Sequence, residues 1–186
     1  MADTPNNKEL DALISLLDEP NEETFDHIRQ KLMNYGNDAI PFLENAWDNS
    51  FDNTIQNRIE DIIHTIQLKE LRKEFAIWSS SNSFNLLRGF YLVTKYQYPD
   101  LDEKKISDQI ELIKRDIWLE LNSNLTALEK VKVINHIIFE IHGYKGNKTS
   151  IDAPQNLFLN NLLETKKGNH LSLGILYIIV AQKLGI

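Results

Sequence analysis

Apolar side chains recur along this chain at three- and four-residue intervals, the period of a helix with one buried face, and few segments alternate strictly as a half-buried strand does. The pattern predicts about ten helices. Leu10, Leu13, Ile14, Leu16 and Leu17 mark the first, over 8–18, and Pro20 with Asn21 breaks and restarts the chain. Phe25, Ile28, Leu32 and Tyr35 mark a second, over 22–35, ending at Gly36, where a left-handed cap costs least. A third, over 38–48, carries Ile40, Phe42, Leu43, Ala46 and Trp47, with Pro41 tolerable in its first turn. Asp52 then caps a fourth bearing Ile55, Ile59, Ile62, Ile63 and Ile66, and a fifth follows near 68–78.

The small polar cluster SSSNS at 79–83 reads as a linker between periodic segments. Beyond it the spacing predicts helices over 84–96, stopped by Pro99, and over 102–121. Thr126 and Glu129 stand at capping-box spacing, each able to satisfy the other's exposed N–H, and the helix they open runs to His142 with Gly143 after it. GYKGNKTSIDAPQ is the longest irregular segment, and a loop of that length either carries function or joins packed layers. The final stretch, GNHLSLGILYIIVAQKLGI at 168–186, is apolar on every face, so it needs cover on all sides. The earlier helices supply part of that cover, and a further layer, a sheet, is the expected remainder.

Composition narrows the class. A chain of 186 residues, 42% hydrophobic and 25% charged, suits one sizeable folded domain or two small ones. It has no cysteine, which removes disulfides, thiolate metal sites and a thiol nucleophile from these residues and fits a reducing compartment. The start shows no secretory or transit pattern, and the apolar run at 171–181 is broken by Gln182 and Lys183 before it reaches membrane-spanning length. A cytoplasmic protein without a membrane span is the expectation. Residues 1–78 hold 7 Lys and Arg against 16 Asp and Glu, a balance of −9, while 79–186 carry +2 of the chain's −7. So acidic a first part repels nucleic acid and anionic lipid, and a protein partner with a basic or neutral surface fits better.

Two short helix pairs at the start, within LISLLDEPNEETFDHIRQKLMNYGNDAIPFLENAW, resemble HEAT-type hairpins, each a brief helix followed by a longer one. From Gly143 onward, GYKGN, DAPQNLFLNNLLETKKG and LSLGILYIIVAQKLG resemble the SirB-type branch of the transglutaminase-like superfamily. That resemblance falls on Gly146, Asn147, Pro154, Asn156, Leu159, Asn160, Leu163, Lys167, Gly168, Ser172, Leu173, Leu176, Tyr177, Ala181, Leu184 and Gly185. It implies a transglutaminase-like α+β fold whose helical lobe is present here and whose β part lies beyond the chain end. The residues present are then all-α: acidic HEAT-like hairpins over 1–78, the linker at 79–83, and an incomplete helical lobe over 84–186.

In the wider superfamily the resemblance implies a cysteine nucleophile at the start of the apolar helix, activated by the helix dipole and by a histidine and an aspartate on later strands. A helix N-terminus does favour a thiolate. Here the helix opens Gly168, Asn169, His170, Leu171, Ser172, so the slot holds His170 or Ser172, and Asn169 and His170 stand where the branch usually has Ile-Pro. Ser172 as a nucleophile needs a base within hydrogen-bond reach, and His170, two residues away, points elsewhere on a helix. As a helix cap it needs none. His136, Glu140 and His142 have partial metal-site spacing, but apolar Ile137, Ile138, Phe139 and Ile141 interleave with them, and no metal or cofactor is expected. GYKG matches a nucleic-acid-binding Gly-x-x-Gly loop without the sheet that motif requires. Trp47, Trp78 and Trp118 fall on helices and are read as packing residues.

Three functions follow as expectations. The first is a non-catalytic regulatory or protein-binding member of the superfamily that has lost its thiol. Alternatives are a hydrolase or acyl-transfer enzyme using Ser172 or a nucleophile beyond residue 186, and a helical-repeat structural adaptor.

Overall fold

Nearly every segment with a helical apolar period is a helix in the computed structural model, which describes residues 7–81 and 85–186. The only strands among them are two residues long, so the all-α expectation holds. Contacts divide the chain into two units, Met1–Ala76 and Ile77–Ile186.

In the first unit, α1 (Asn7–Ile14), α2 (Glu22–Tyr35), α3 (Ile40–Asn49) and the first part of α4 (Asn53–Ser80) enclose one core. Its centre is Leu10, Leu32, Leu43, Ile59 and Ile62, all fully buried. Capping follows the sequence: Asn21 Oδ1 accepts from Thr24 N at 3.0 Å, and Asp52 Oδ1 from Thr54 N at 2.7 Å. Gly36 takes φ +59, a region open to glycine, and a 3-10 turn over Gly36–Ala39 leads into α3.

Two expectations need correction. The first helix stops at Ile14 rather than near residue 18, because the chain tightens into short bonds from Leu16 N to Leu13 O and Leu17 N to Ile14 O. Arg58 on α4 then collects the released carbonyls, its Nη1 donating to Leu17 O at 2.9 Å and to Glu19 O at 2.8 Å, with its guanidinium over the Phe25 ring. The fourth and fifth predicted helices are one, α4, since neither glycine nor proline interrupts its 28 residues. Ser79 and Ser80 are its last residues and Ser81 is a bend; Asn82, Ser83 and Phe84, on which the rest of the predicted linker and the start of the next helix fall, lie outside the described residues.

The second unit contains α5 (Leu86–Gln97), α6 (Glu103–Glu120), α7 (Ala127–Asn135), β1 (Lys145–Gly146), α8 (Leu159–Thr165), β2 (Lys167–Gly168) and α9 (His170–Leu184). Asp102 caps α6, which buries Ile106, Ile110, Ile113 and Ile117 at successive turns. The expected capping box opens α7: Thr126 N donates to Glu129 Oε2 at 2.8 Å and Glu129 N to Thr126 Oγ1 at 3.3 Å. Its continuation is not α-helical. Residues His136–Ile141 form a π-helix, with His142 N reaching back five residues to Ile137 O.

The apolar last helix, α9, packs on α5, α6 and α8, burying Leu176, Ile179 and Val180. Its other side leaves Leu171 and Ile178 half exposed, 52% and 48%. Trp78 packs against Gly89 as a packing residue should. Trp118 does not: it is 64% exposed on the outer face of α6. No helix among the described residues is long and apolar enough to cross a membrane.

Candidate functional site

The resemblance motifs converge at the opening of α9. β1 and β2 pair in parallel, Lys145 opposite Lys167 and Gly146 opposite Gly168, so the GYKGN segment lies directly against the KKGN segment. Asn147 extends this pairing, its N–H donating to Gly168 O at 2.9 Å. Pro154 starts a 3-10 turn over Pro154–Leu157, where a missing N–H costs nothing, and the turn carries Asn156 into the interior.

Asn156 is fully buried and fully employed. Its Nδ2 donates to Ser150 O at 2.6 Å and Ile151 O at 3.1 Å, closing the irregular loop, while its Oδ1 accepts from Asn147 Nδ2 at 3.0 Å. Its carbonyl accepts the Ser172 Oγ proton at 2.7 Å. Ser172 Oγ also accepts from Asn169 N at 3.1 Å, and Asn169 Oδ1 accepts from Ser172 N at 2.9 Å, a reciprocal cap on α9. Gly168 allows this closeness: a Cβ there would collide with Ser172 Oγ and with Leu162 Cδ1 at 2.8 Å. Asn147, Asn156, Gly168, Asn169 and Ser172 are thus one hydrogen-bonded knot joining loop, turn, strand and helix.

His170 begins α9 but is exposed, whereas Ser172 is buried. Among the described residues no histidine hydrogen-bonds Ser172, whose proton is committed to a backbone carbonyl. Lys167 is exposed, and Tyr177 stacks on Phe139 with ring centroids 6.4 Å apart, burial raising its phenol pKa. Asn160 stands apart from the knot. It lines a cavity between α6 and α8, and its Oδ1 is buried without a partner.

His136 Nδ1 lies 3.0 Å from Glu140 Oε2, but His142 turns away to Asp116 Oδ2, also at 3.0 Å. No group of three or more His, Cys, Asp or Glu among the described residues is arranged to hold a metal ion.

One feature escaped the sequence reading. Lys166 ends α8 at φ +59, a left-handed conformation uncommon outside glycine, and its Nζ donates to the phenol oxygen of buried Tyr144 at 2.9 Å. Desolvation raises the Tyr144 pKa and lowers that of Lys166. GYKG and TKKG show lysines and a tyrosine, but nothing in their spacing pairs them.

Residues 104–186 match the family described as the transglutaminase-like superfamily. Over that stretch the second unit is similar to the transglutaminase-like superfamily. A UPF0162 protein of Xylella fastidiosa strain 9a5c is 28% identical over 115 residues, covering 59% of this chain and 41% of the relative. Another, from strain Temecula1, is 30% identical over 101 residues, covering 54% and 36%, and a UPF0162 protein of Pasteurella multocida is 27% identical over 85 residues, covering 46% and 32%. The chain spans about two fifths or less of the length of these curated relatives. No solved structure matches it.

Proposed function

We propose that this protein is a non-catalytic, protein-binding or regulatory member of the transglutaminase-like superfamily, of its SirB-type branch, with HEAT-like hairpins at its start. One observation carries the reading. At the opening of α9, where the superfamily resemblance implies a nucleophile, Ser172 is fully buried and its hydroxyl is spent on capping the helix and binding Asn156 O. A serine nucleophile needs a base at its proton and open space at its oxygen. Here the proton goes to an amide carbonyl, and the chain has no cysteine to take the role instead. The family's opening is retained as architecture.

The acidic first part, −9 over residues 1–78, supports a partner with a basic or neutral protein surface. The lack of cysteine supports a cytoplasmic setting. The test is reaction of the purified protein with fluorophosphonate and acyl probes, beside assays for transamidation, deamidation and peptidase activity. Neither labelling nor turnover is expected. Labelling that disappears in Ser172→Ala while the variant stays folded would falsify the proposal.

A further inference from the structure

Tyr144 is 1% exposed, so its phenol hydrogen needs an acceptor inside the protein. Among the described residues its oxygen has one hydrogen-bond partner, Lys166 Nζ at 2.9 Å. A charged Lys166 donates to that oxygen and leaves the phenol hydrogen unmatched. A neutral Lys166 offers a lone pair, so the phenol O–H donates to it and both groups are satisfied. Burial raises the phenol pKa and keeps it protonated, so no phenolate forms to hold the ammonium.

The surroundings of Lys166 supply a second, independent sign. Lys73, Lys105, Lys114 and Lys183 each pair with a glutamate, whereas among the described residues no carboxylate pairs with Lys166. Its Nζ lies 4.4 Å from the centre of the Tyr144 ring, a weaker hold on a cation than a carboxylate gives. That ring also stacks on His142, whose Nε2 is engaged by Asp116. Lys167 follows Lys166 in sequence and stands opposite Lys145, both exposed and both without a carboxylate partner among the described residues. Neighbouring cations favour the amine over the ammonium, and desolvation lowers the Lys166 pKa in the same direction. Lys166 is only half-buried, so a small reagent can approach it.

We infer that Lys166 is a modification site, an amine that takes an acyl group from a small activated donor bearing phosphate. The neutral nitrogen attacks the acyl carbon and an N–C bond forms. The carbon's bond to phosphate oxygen or to thiol sulfur breaks, phosphate or thiolate departs, and the surplus proton on nitrogen passes to water. Lys145 and Lys167 draw the anionic donor to the place. Acyl phosphates and acyl thioesters of a phosphorylated thiol share this chemistry. The inference does not rest on the reading of α9, and an active Ser172 would leave it intact.

The test is site-resolved mass spectrometry of the folded protein after brief exposure to acetyl phosphate, to acetyl-coenzyme A, or to uncharged phenyl acetate, with each lysine's rate compared within one sample. At pH 7 Lys166 should react at least about threefold faster than the median exposed lysine, and its lead should vanish near pH 10.5, roughly where ordinary lysines are also neutral. A larger lead with acetyl phosphate assigns an acyl phosphate source, and an equal or larger one with acetyl-coenzyme A assigns a thioester. Lys145→Gln combined with Lys167→Gln, both at exposed positions, should slow Lys166 about threefold towards the two phosphate-bearing donors and leave its rate with phenyl acetate within about twofold. A Lys166 rate at or below the median at pH 7, or a lead undiminished at pH 10.5, overturns the inference. So does an equal effect of the double variant on charged and uncharged donors.

Discussion

Thr94 is fully buried in α5, and its hydroxyl holds together two elements far apart in sequence. It donates to Phe90 O at 2.8 Å and accepts from the N–H of Leu159, the first residue of α8, at 3.1 Å. That N–H is one of the orphan donors of a helix start, and no side chain of its own turn caps it. Thr94→Val keeps the shape and removes the acceptor, so it should cost about 1–3 kcal/mol, whereas Thr94→Ser keeps the hydroxyl and should cost less. Urea denaturation of the three proteins reads the difference directly; a loss in serine with none in valine would mean that the methyl group, not the oxygen, is what matters. Thr94 was not legible in the sequence, where it is one threonine in an apolar helix, because its partner lies 65 residues away. Arg58 and the Tyr144–Lys166 pair were missed for the same reason. Asn147, Asn156, Gly168 and Ser172 were legible as motif positions, but only the coordinates show that they bind one another.

At the scale of elements, local chemistry was the readable part. Asn21, Asp52 and the Thr126–Glu129 box were each recognisable because the bonds they make lie within three residues. The π-helix of His136–Ile141 was not, since the apolar period of a π-turn over six residues is indistinguishable from that of an α-helix ending. The widened turn coincides with contacts that an unbroken α-helix was not expected to make: His142 on Asp116 and Phe139 on Tyr177. The capping box also carries a pH dependence. The backbone N–H of Thr126, and then its hydroxyl, hold the Glu129 carboxyl below its ordinary pKa. A carboxylate depressed in the folded state contributes fully above its unfolded pKa, and that contribution is lost as pH falls through the lower folded value. Glu129→Gln should therefore lower stability at pH 7 and flatten the decline between pH 5 and pH 2, roughly the window in which carboxylates titrate. Thermal melts of both proteins across that range check it, and parallel curves would remove Glu129 from the account.

At the scale of the whole molecule, the second unit, similar over residues 104–186 to the transglutaminase-like superfamily, ends in a helix whose apolar residues are only partly buried. α9 buries Leu176, Ile179 and Val180 against α5, α6 and α8, while Leu171 and Ile178 stand half exposed, one above the other at seven-residue spacing. Phe139 and Ile141 are exposed as well, and Phe139 stacks on Tyr177 of the same helix. Burying an apolar side chain is worth about 1.5–3 kcal/mol, so such a surface attracts apolar probes and other copies of itself. The chain should bind an environment-sensitive apolar dye while fully folded. Leu171→Ser combined with Ile178→Ser should cut that signal at least by half, with the melting temperature nearly unchanged, because neither side chain is in the core of the unit. The opposite result, dye binding unchanged with a collapse in stability, would mean that these two side chains are buried in solution and that α9 is covered on the side where the structure leaves it open.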